Sequence, residues 1–283
     1  MMDQSITKEI LMRIKGLITA IAITACVLFL NSCFSVPGIG GFNPLAGLEQ
    51  QASNRASAEV ASATGLTGMT NKLMFNVIYA QVFYMGGFGA NIYQLDETQG
   101  TVWQIVSKDE NNNTTKAQTE RALLKIMPDG TQWWYLAWRQ DGQTNEYEAL
   151  MSPDMQAKKI RYFNPDVNRI EEAVFTDTAS AAGNQDSDPP PEPASSTLGK
   201  DDLSVYSKGI ETVKTNAGTY TAERLEYSST DEDNVTTTYT WWVDQKAPGG
   251  LVKYLWTKSG SNESLSGELY SVKKGYTTKF NSF

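Results

Sequence analysis

What most limits the fold open to this chain is a rhythm: short runs rich in aromatic and β-branched residues, each closed by a chemically explicit turn. Residues 101–107, 119–127, 131–138, 145–151 and 159–163 form one series, and 171–175 adds a further strand. Between them stand Asn111-Asn112-Asn113, Pro128-Asp129-Gly130, Asp141-Gly142 and Ser152-Pro153-Asp154. A second series comprises 204–215, 219–228, 236–243, 251–257, 265–273 and 276–280. Its turns are Asn216-Ala217-Gly218, residues 231–234, Pro248-Gly249-Gly250, Ser259-Gly260 and Lys274-Gly275. Turns this short join neighbours in an antiparallel meander, whereas parallel strands need crossovers of a dozen or more residues. Neither series has enough strands to close on itself or to cover two faces, so both are expected in one antiparallel sheet.

Two stretches stand outside the rhythm. Residues 176–202 (TDTASAAGNQDSDPPPEPASSTLGKDD) contain no large apolar residue except Leu198. Such a segment cannot bury enough surface to offset the cost of ordering its backbone, and it is expected to be a disordered loop within a single domain spanning 49–283. Upstream, 49–63 is Ala-rich and helix-forming with little to bury, while Thr70 is placed to cap a more apolar helix. Leu73, Met74, Val77, Ile78, Gln81 and Val82 recur there at three- and four-residue intervals, and Gly86-Gly87-Phe88-Gly89 ends it. One or two N-terminal helices are therefore expected to pack on the sheet.

The aromatic strands give that helix a surface. Alternation sends Trp133, Tyr135 and Ala137 to one face and Trp134, Leu136 and Trp138 to the other, so this strand is apolar on both sides. Tyr239, Trp241 and Val243 alternate more weakly with Trp242, whose face it shares with Thr238 and Thr240. One face serves as core; the other awaits the apolar helix, a partner or a hydrophobic ligand. The residues expected to line such a ligand cavity are Trp103, Trp134 or Trp138, Trp242 and Trp256.

At the other end, residues 17–30 are an uncharged apolar run behind Arg13 and Lys15. The run is shorter than the roughly 20 residues of a bilayer-spanning helix and has the layout of a secretory signal. It closes on Leu30-Asn31-Ser32-Cys33, which resembles the bacterial lipobox, in which the Cys becomes an acylated N-terminus. Ile23-Thr24-Ala25-Cys26 also fits, but cleavage there would leave Val27 to Leu30 on the mature end. The expectation is a signal peptide over 1–32, lipidation at Cys33, and a Gly- and Pro-rich tether over 33–48; a plain secretory signal or an ordinary membrane anchor is the alternative. Met12-Arg13-Ile14-Lys15 offers a second, more typical signal start, which would make 1–11 an overextended reading frame.

Composition removes most chemistry. The sequence has no His, and its two Cys are Cys26 and Cys33. The usual imidazole base, the commonest metal ligand and every Ser-His-Asp arrangement are missing, and a cleaved, acylated form has no free thiol. The turn that starts at Asp231 fails as a calcium loop, because Thr236 stands where Gly is needed and Trp242 where the bidentate Glu is needed. No enzyme, cofactor or metal is expected. A net charge of −8 argues against nucleic acid and against electrostatic attraction to anionic lipid, so membrane attachment falls to the acyl chains.

The runs 211–215 (ETVKT), 217–220 (AGTY), 239–243 (YTWWV) and 248–253 (PGGLVK), with weaker support from 100–103 and 120–138, resemble families of bacterial envelope proteins. Those families are similar to the lipoprotein-carrier (LolA/LolB-like) class. The resemblance implies a strongly bent antiparallel sheet, a half barrel, whose concave apolar side is plugged by helices and holds acyl chains; no catalytic residues come with it. Two functions follow as expectations. One is a lipid-anchored binding module for an acyl chain or lipid in the cell envelope, at the outer membrane. The other is a structural or interaction lipoprotein with a filled core and an envelope-protein partner.

Overall fold

The computed structural model describes residues 66–86, 88–89, 95–165, 167–175, 203–231 and 233–283. The expected signal, Cys33, tether, 49–63 helix and 176–202 loop lie outside them. Among the described residues the architecture is one helix, α1 (Leu66–Phe83), a two-residue hairpin of β1 (Tyr84–Met85) and β2 (Phe88–Gly89), and an open sheet of eleven antiparallel strands.

The sheet is two meanders sharing one seam. The first runs β3 (Gly100–Lys108), β4 (Thr114–Ile126), β5 (Gln132–Gln140), β6 (Gln143–Met151), β7 (Ala157–Asn164) and β8 (Arg169–Val174). The second runs β9 (Ser207–Thr215), β10 (Gly218–Thr230), β11 (Thr236–Val243), β12 (Leu251–Lys258) and β13 (Ser264–Lys273). They join where β13 pairs with β3, in register from Ser264↔Lys108 to Lys273↔Gly100, leaving β8 and β9 as the edges. Apart from Lys274-Gly275, which no strand follows, the expected turns fall between neighbouring strands, and the two series form one antiparallel sheet.

The sheet is strongly bent. The β9–β10 turn and β13 lie four strands apart, roughly 19 Å if the sheet were flat. Yet Ala217 N donates to Leu269 O at 3.4 Å and Asn216 Nδ2 to Tyr270 O at 3.1 Å. Register shifts at Leu123/Lys125, Glu223/Leu225, Trp242/Val243 and Leu269/Ser271 mark the bulges that sharpen the curl.

Three expectations need correction. Thr70 does not cap α1, which already begins at Leu66 and ends at Phe83. Residues 204–206 belong to a 3-10 turn (Leu203–Tyr206) instead of extending β9. Residues 276–280 form no strand, because the edge that they would need is occupied: β13 already pairs with β3 and β12. They run across the outer face of the first meander instead, with Tyr276 ringed against Tyr135 and Phe283 against Trp133, centroids 6.1 and 6.0 Å apart.

Candidate functional site

The inner face begins with β5. Its alternation places Trp134, Leu136 and Trp138 inward, opposite Ala149 and Tyr147 on β6 and Leu123, Arg121 and Thr119 on β4. The same face continues through Trp103 on β3, Leu269 on β13, Tyr254 and Trp256 on β12, and Tyr239 and Trp241 on β11. It is one apolar surface across both meanders, built from two adjoining clusters.

Two elements cover it. α1 lies over the first meander and buries Phe75, Ile78 and Val82, at three- and four-residue spacing on one side of the helix, together with Phe83 beside them. Phe83 meets Trp134 edge-on, centroids 5.3 Å apart, and Phe75 meets Tyr147 at 5.7 Å. The β1–β2 hairpin covers the second meander: Met85 and Phe88 join its cluster, and Trp241 Nε1 donates to Gly86 O at 2.8 Å. Gly86 has φ +58° and presses on the Tyr254 ring, where a Cβ would stand 2.4 Å away, so only glycine fits there.

The expected cavity-lining tryptophans divide. Trp103, Trp134 and Trp256 are buried on the inner face and Trp138 packs half-buried against its first cluster. Trp103 stacks on Tyr254 at 6.0 Å, close to the seam. Trp242 points the other way, onto the outer face, where Lys253 Nζ lies 5.1 Å from its ring and Glu211 accepts its indole N–H.

What sequence reasoning missed on this face is Arg121. The β4 run TERALLKIM is apolar enough to be buried on both sides, so Glu120 and Arg121 are necessarily buried on opposite faces, 5 % and 1 % exposed. That signal is legible in the alternation once both faces are known to be covered. Nη1 of Arg121 donates to Val82 O at 3.1 Å, satisfying one of the free carbonyls at the end of α1. Its Cζ lies 5.8 Å from the Phe83 ring. Its Nε and Nη2 are buried with no hydrogen-bond partner, and among the described residues no carboxylate pairs with it. Burial lowers the guanidinium to about 10, which leaves it cationic at neutral pH.

Neighbouring polar atoms share that condition. Thr101 Oγ1, Thr119 Oγ1, Trp103 Nε1, Tyr254 Oη and Trp256 Nε1 are all buried and unpartnered on the same face. Thr101 is directly opposite Arg121 in the β3–β4 register, and Thr119 lies two residues before it on β4. Directly opposite side chains stand about 4.5–5.5 Å apart at Cβ. The β11–β12 loop closes over the guanidinium: Gly249 has φ +82°, and a Cβ there would stand 2.3 Å from Nη2.

The outer face behaves differently. Glu120 accepts from Arg139 Nη1 at 2.6 Å, from Lys273 Nζ at 3.1 Å and from the Tyr276 hydroxyl. Fully buried Glu148 accepts from Thr278 Oγ1 at 2.8 Å and from Lys279 N at 2.5 Å. Glu146 takes Lys279 Nζ at 2.8 Å and the Tyr135 hydroxyl at 2.5 Å. Arg161 pairs with Glu172 at 2.6 Å, donates to Ser282 O at 3.1 Å and lies 4.0 Å from the centre of the Trp133 ring. The segment 276–283 is thus a strap that both covers Trp133 and Tyr135 and satisfies the charges beside them.

No family model matches the chain, and no curated protein matches it. Among solved structures it is similar to a candidate lipoprotein from Parabacteroides distasonis at 12% identity, covering 64% of this chain and 98% of that one with a TM-score of 0.32. It is also similar to a chain of the Pseudomonas aeruginosa MucA/MucB complex, at 11% identity, 67% and 56% coverage and a TM-score of 0.34. A third is a candidate outer membrane lipoprotein-sorting protein domain from Vibrio parahaemolyticus, at 11% identity, 66% and 90% coverage and a TM-score of 0.26.

Proposed function

We propose that this chain is a non-enzymatic binding module of the bacterial cell envelope, lipid-anchored through Cys33 at the outer membrane, that holds an acyl chain or similar apolar ligand against the inner face of its sheet. The observation that carries the reading is the nature of the cover. An aromatic surface running across both meanders is roofed by a separate helix and a short hairpin, and α1 grips it chiefly through rings, as at Phe83–Trp134 and Phe75–Tyr147. A cover held this way is displaced by a ligand that offers equivalent apolar contact. The same direct ring packing also favours a second reading, a lipoprotein with a filled core that meets another envelope protein.

Native mass spectrometry of the full chain purified from a bacterium separates the two. The binding module gives protein with a co-purifying lipid that a fluorescent fatty acid displaces; consistently bare protein from which no probe is displaced leaves the filled-core reading. The anchor is tested separately: labelling with tritiated palmitate is expected to be lost in Cys33→Ser, and undiminished label would refute lipidation there.

A further inference from the structure

The buried cation on the inner face points to what the ligand carries at its end. We propose that Arg121, flanked by Thr101 and Thr119, receives the anionic head group of the apolar ligand, a carboxylate or a phosphate monoester. This rests on the binding-module reading above and specifies the chemistry of its ligand.

The geometry of the guanidinium carries the inference. Of its three nitrogens, Nη1 is committed to Val82 O, while Nε and Nη2 are both without partners. Those two nitrogens form the side-on edge of the fork, the pair that a carboxylate or phosphate takes with two parallel hydrogen bonds. That edge has no hydrogen-bond partner and lies under the Gly249 backbone, which an incoming head group would displace.

The surroundings match the same chemistry. Thr101 and Thr119 present fully buried, unpartnered hydroxyls on the face of Arg121, one directly opposite and one two residues along. Trp103, which lies opposite Thr119, adds an unpartnered indole N–H. Each of these groups can donate, and none is an anion, so a further acceptor-rich group would satisfy several at once. A neutral partner would leave the charge uncompensated, and burying an isolated charge is the costliest arrangement of all. Elsewhere in the molecule the comparison is direct: Glu120, Glu148 and Arg161, all buried, are each satisfied by charged or hydrogen-bonding partners.

The inner face around the arginine is otherwise apolar. Phe83, Leu123 and Leu136 adjoin the arginine on the inner face. The proposed ligand is accordingly an amphiphile, with its head on Arg121 and its chain along the aromatic face. The β11–β12 loop seals the head-group end, since Gly249 lets the backbone lie directly on Nη2.

The test is equilibrium binding of three labelled probes of equal chain length to the full chain: palmitate, hexadecyl phosphate and hexadecanol. Wild-type protein is expected to bind at least one of the two anions ten-fold or more tightly than the alcohol, and which anion wins identifies the head group. Arg121→Met is expected to keep hexadecanol binding and lose that preference, and Arg121→Lys, which keeps the charge but not the fork, to lose most of it. Equal wild-type affinity for alcohol and anions overturns the head-group assignment while leaving the binding module standing, as does an Arg121→Met protein that retains the preference. Failure of all three probes overturns the binding module itself. The wild-type comparison decides the question even if the variants do not fold.

Discussion

Glu120 and Arg121 are consecutive residues of one strand, both buried, and their surroundings could hardly differ more. Glu120, on the outer face, is ringed by Arg139, Lys273 and Tyr276. Arg121, on the inner face, has a single backbone carbonyl and two free nitrogens. The outer face is finished by the chain's own strap, so its charges are structural. The inner face is covered by apolar rings that leave the charge of Arg121 unanswered. A buried polar group completed from within is read as architecture; one left incomplete beside completed neighbours is read as a place for something else.

This contrast can be broken most severely on the outer side. Removing residues 276–283 strips Glu148 of both its donors and Glu120 of one and uncovers Trp133 and Tyr135; a loss of about 3–5 kcal/mol is expected, read as a lowered urea midpoint. Glu120→Leu leaves the partners in place but removes the carboxylate that they share, and is expected to cost about 1–3 kcal/mol by the same measurement. The inner side should respond with the opposite sign. In ligand-stripped protein, Arg121→Met removes an unpaired buried charge at the expense of one hydrogen bond to Val82 O, and is expected to be neutral or stabilising by about 1 kcal/mol. Marked destabilisation would mean that Arg121 is structural like its neighbour.

The smallest effect is in pH. Burial pushes the Glu120 carboxyl up, but hydrogen bonds from Tyr276 and Lys273 and the charge of Arg139 outweigh it, so Glu120 titrates below its ordinary value of 4.5. Glu146 is lowered likewise, burial being outweighed by Lys279, Tyr135 and Arg139. Carboxyls lowered in the folded state stabilise it fully above about 4.5 and lose that contribution as pH falls through their folded values. Stability measured from pH 6 down to 2 should therefore fall, and Glu120→Gln should flatten the decline.

Much of the sheet is legible in the amino acids because hairpin turns announce themselves. Asp141-Gly142, with both residues at positive φ, fixes the β5–β6 register, and Asn216-Ala217-Gly218 fixes β9–β10. What stays hidden is whatever depends on distant partners. The run at 276–280 looks like a strand, yet β13 before it has both edges taken, and alternation parts Trp242 from Trp241 without showing which of the two lies outward. Arg121 is hidden for the same reason: alternation shows that β4 must bury a charge on each face, but only the assembled molecule shows which is left without a partner. The aromatic residues on β5 are readable as apolar on both faces, and the helix that covers one of them is among the expected covers; that the strap covers the other is not readable.

The seam between the meanders has a consequence for how the molecule comes into being. Ser266 donates to Val106 O across 160 residues of sequence, so β3 keeps a raw flank until β13 has been made. A chain synthesised from its N-terminus therefore carries a half-finished fabric, with aromatic rows open to any passing peptide, for as long as the second meander is missing. Closing so long a loop is slow and favours misassociation in the interval. Until then the β3 flank is the edge most open to misassociation.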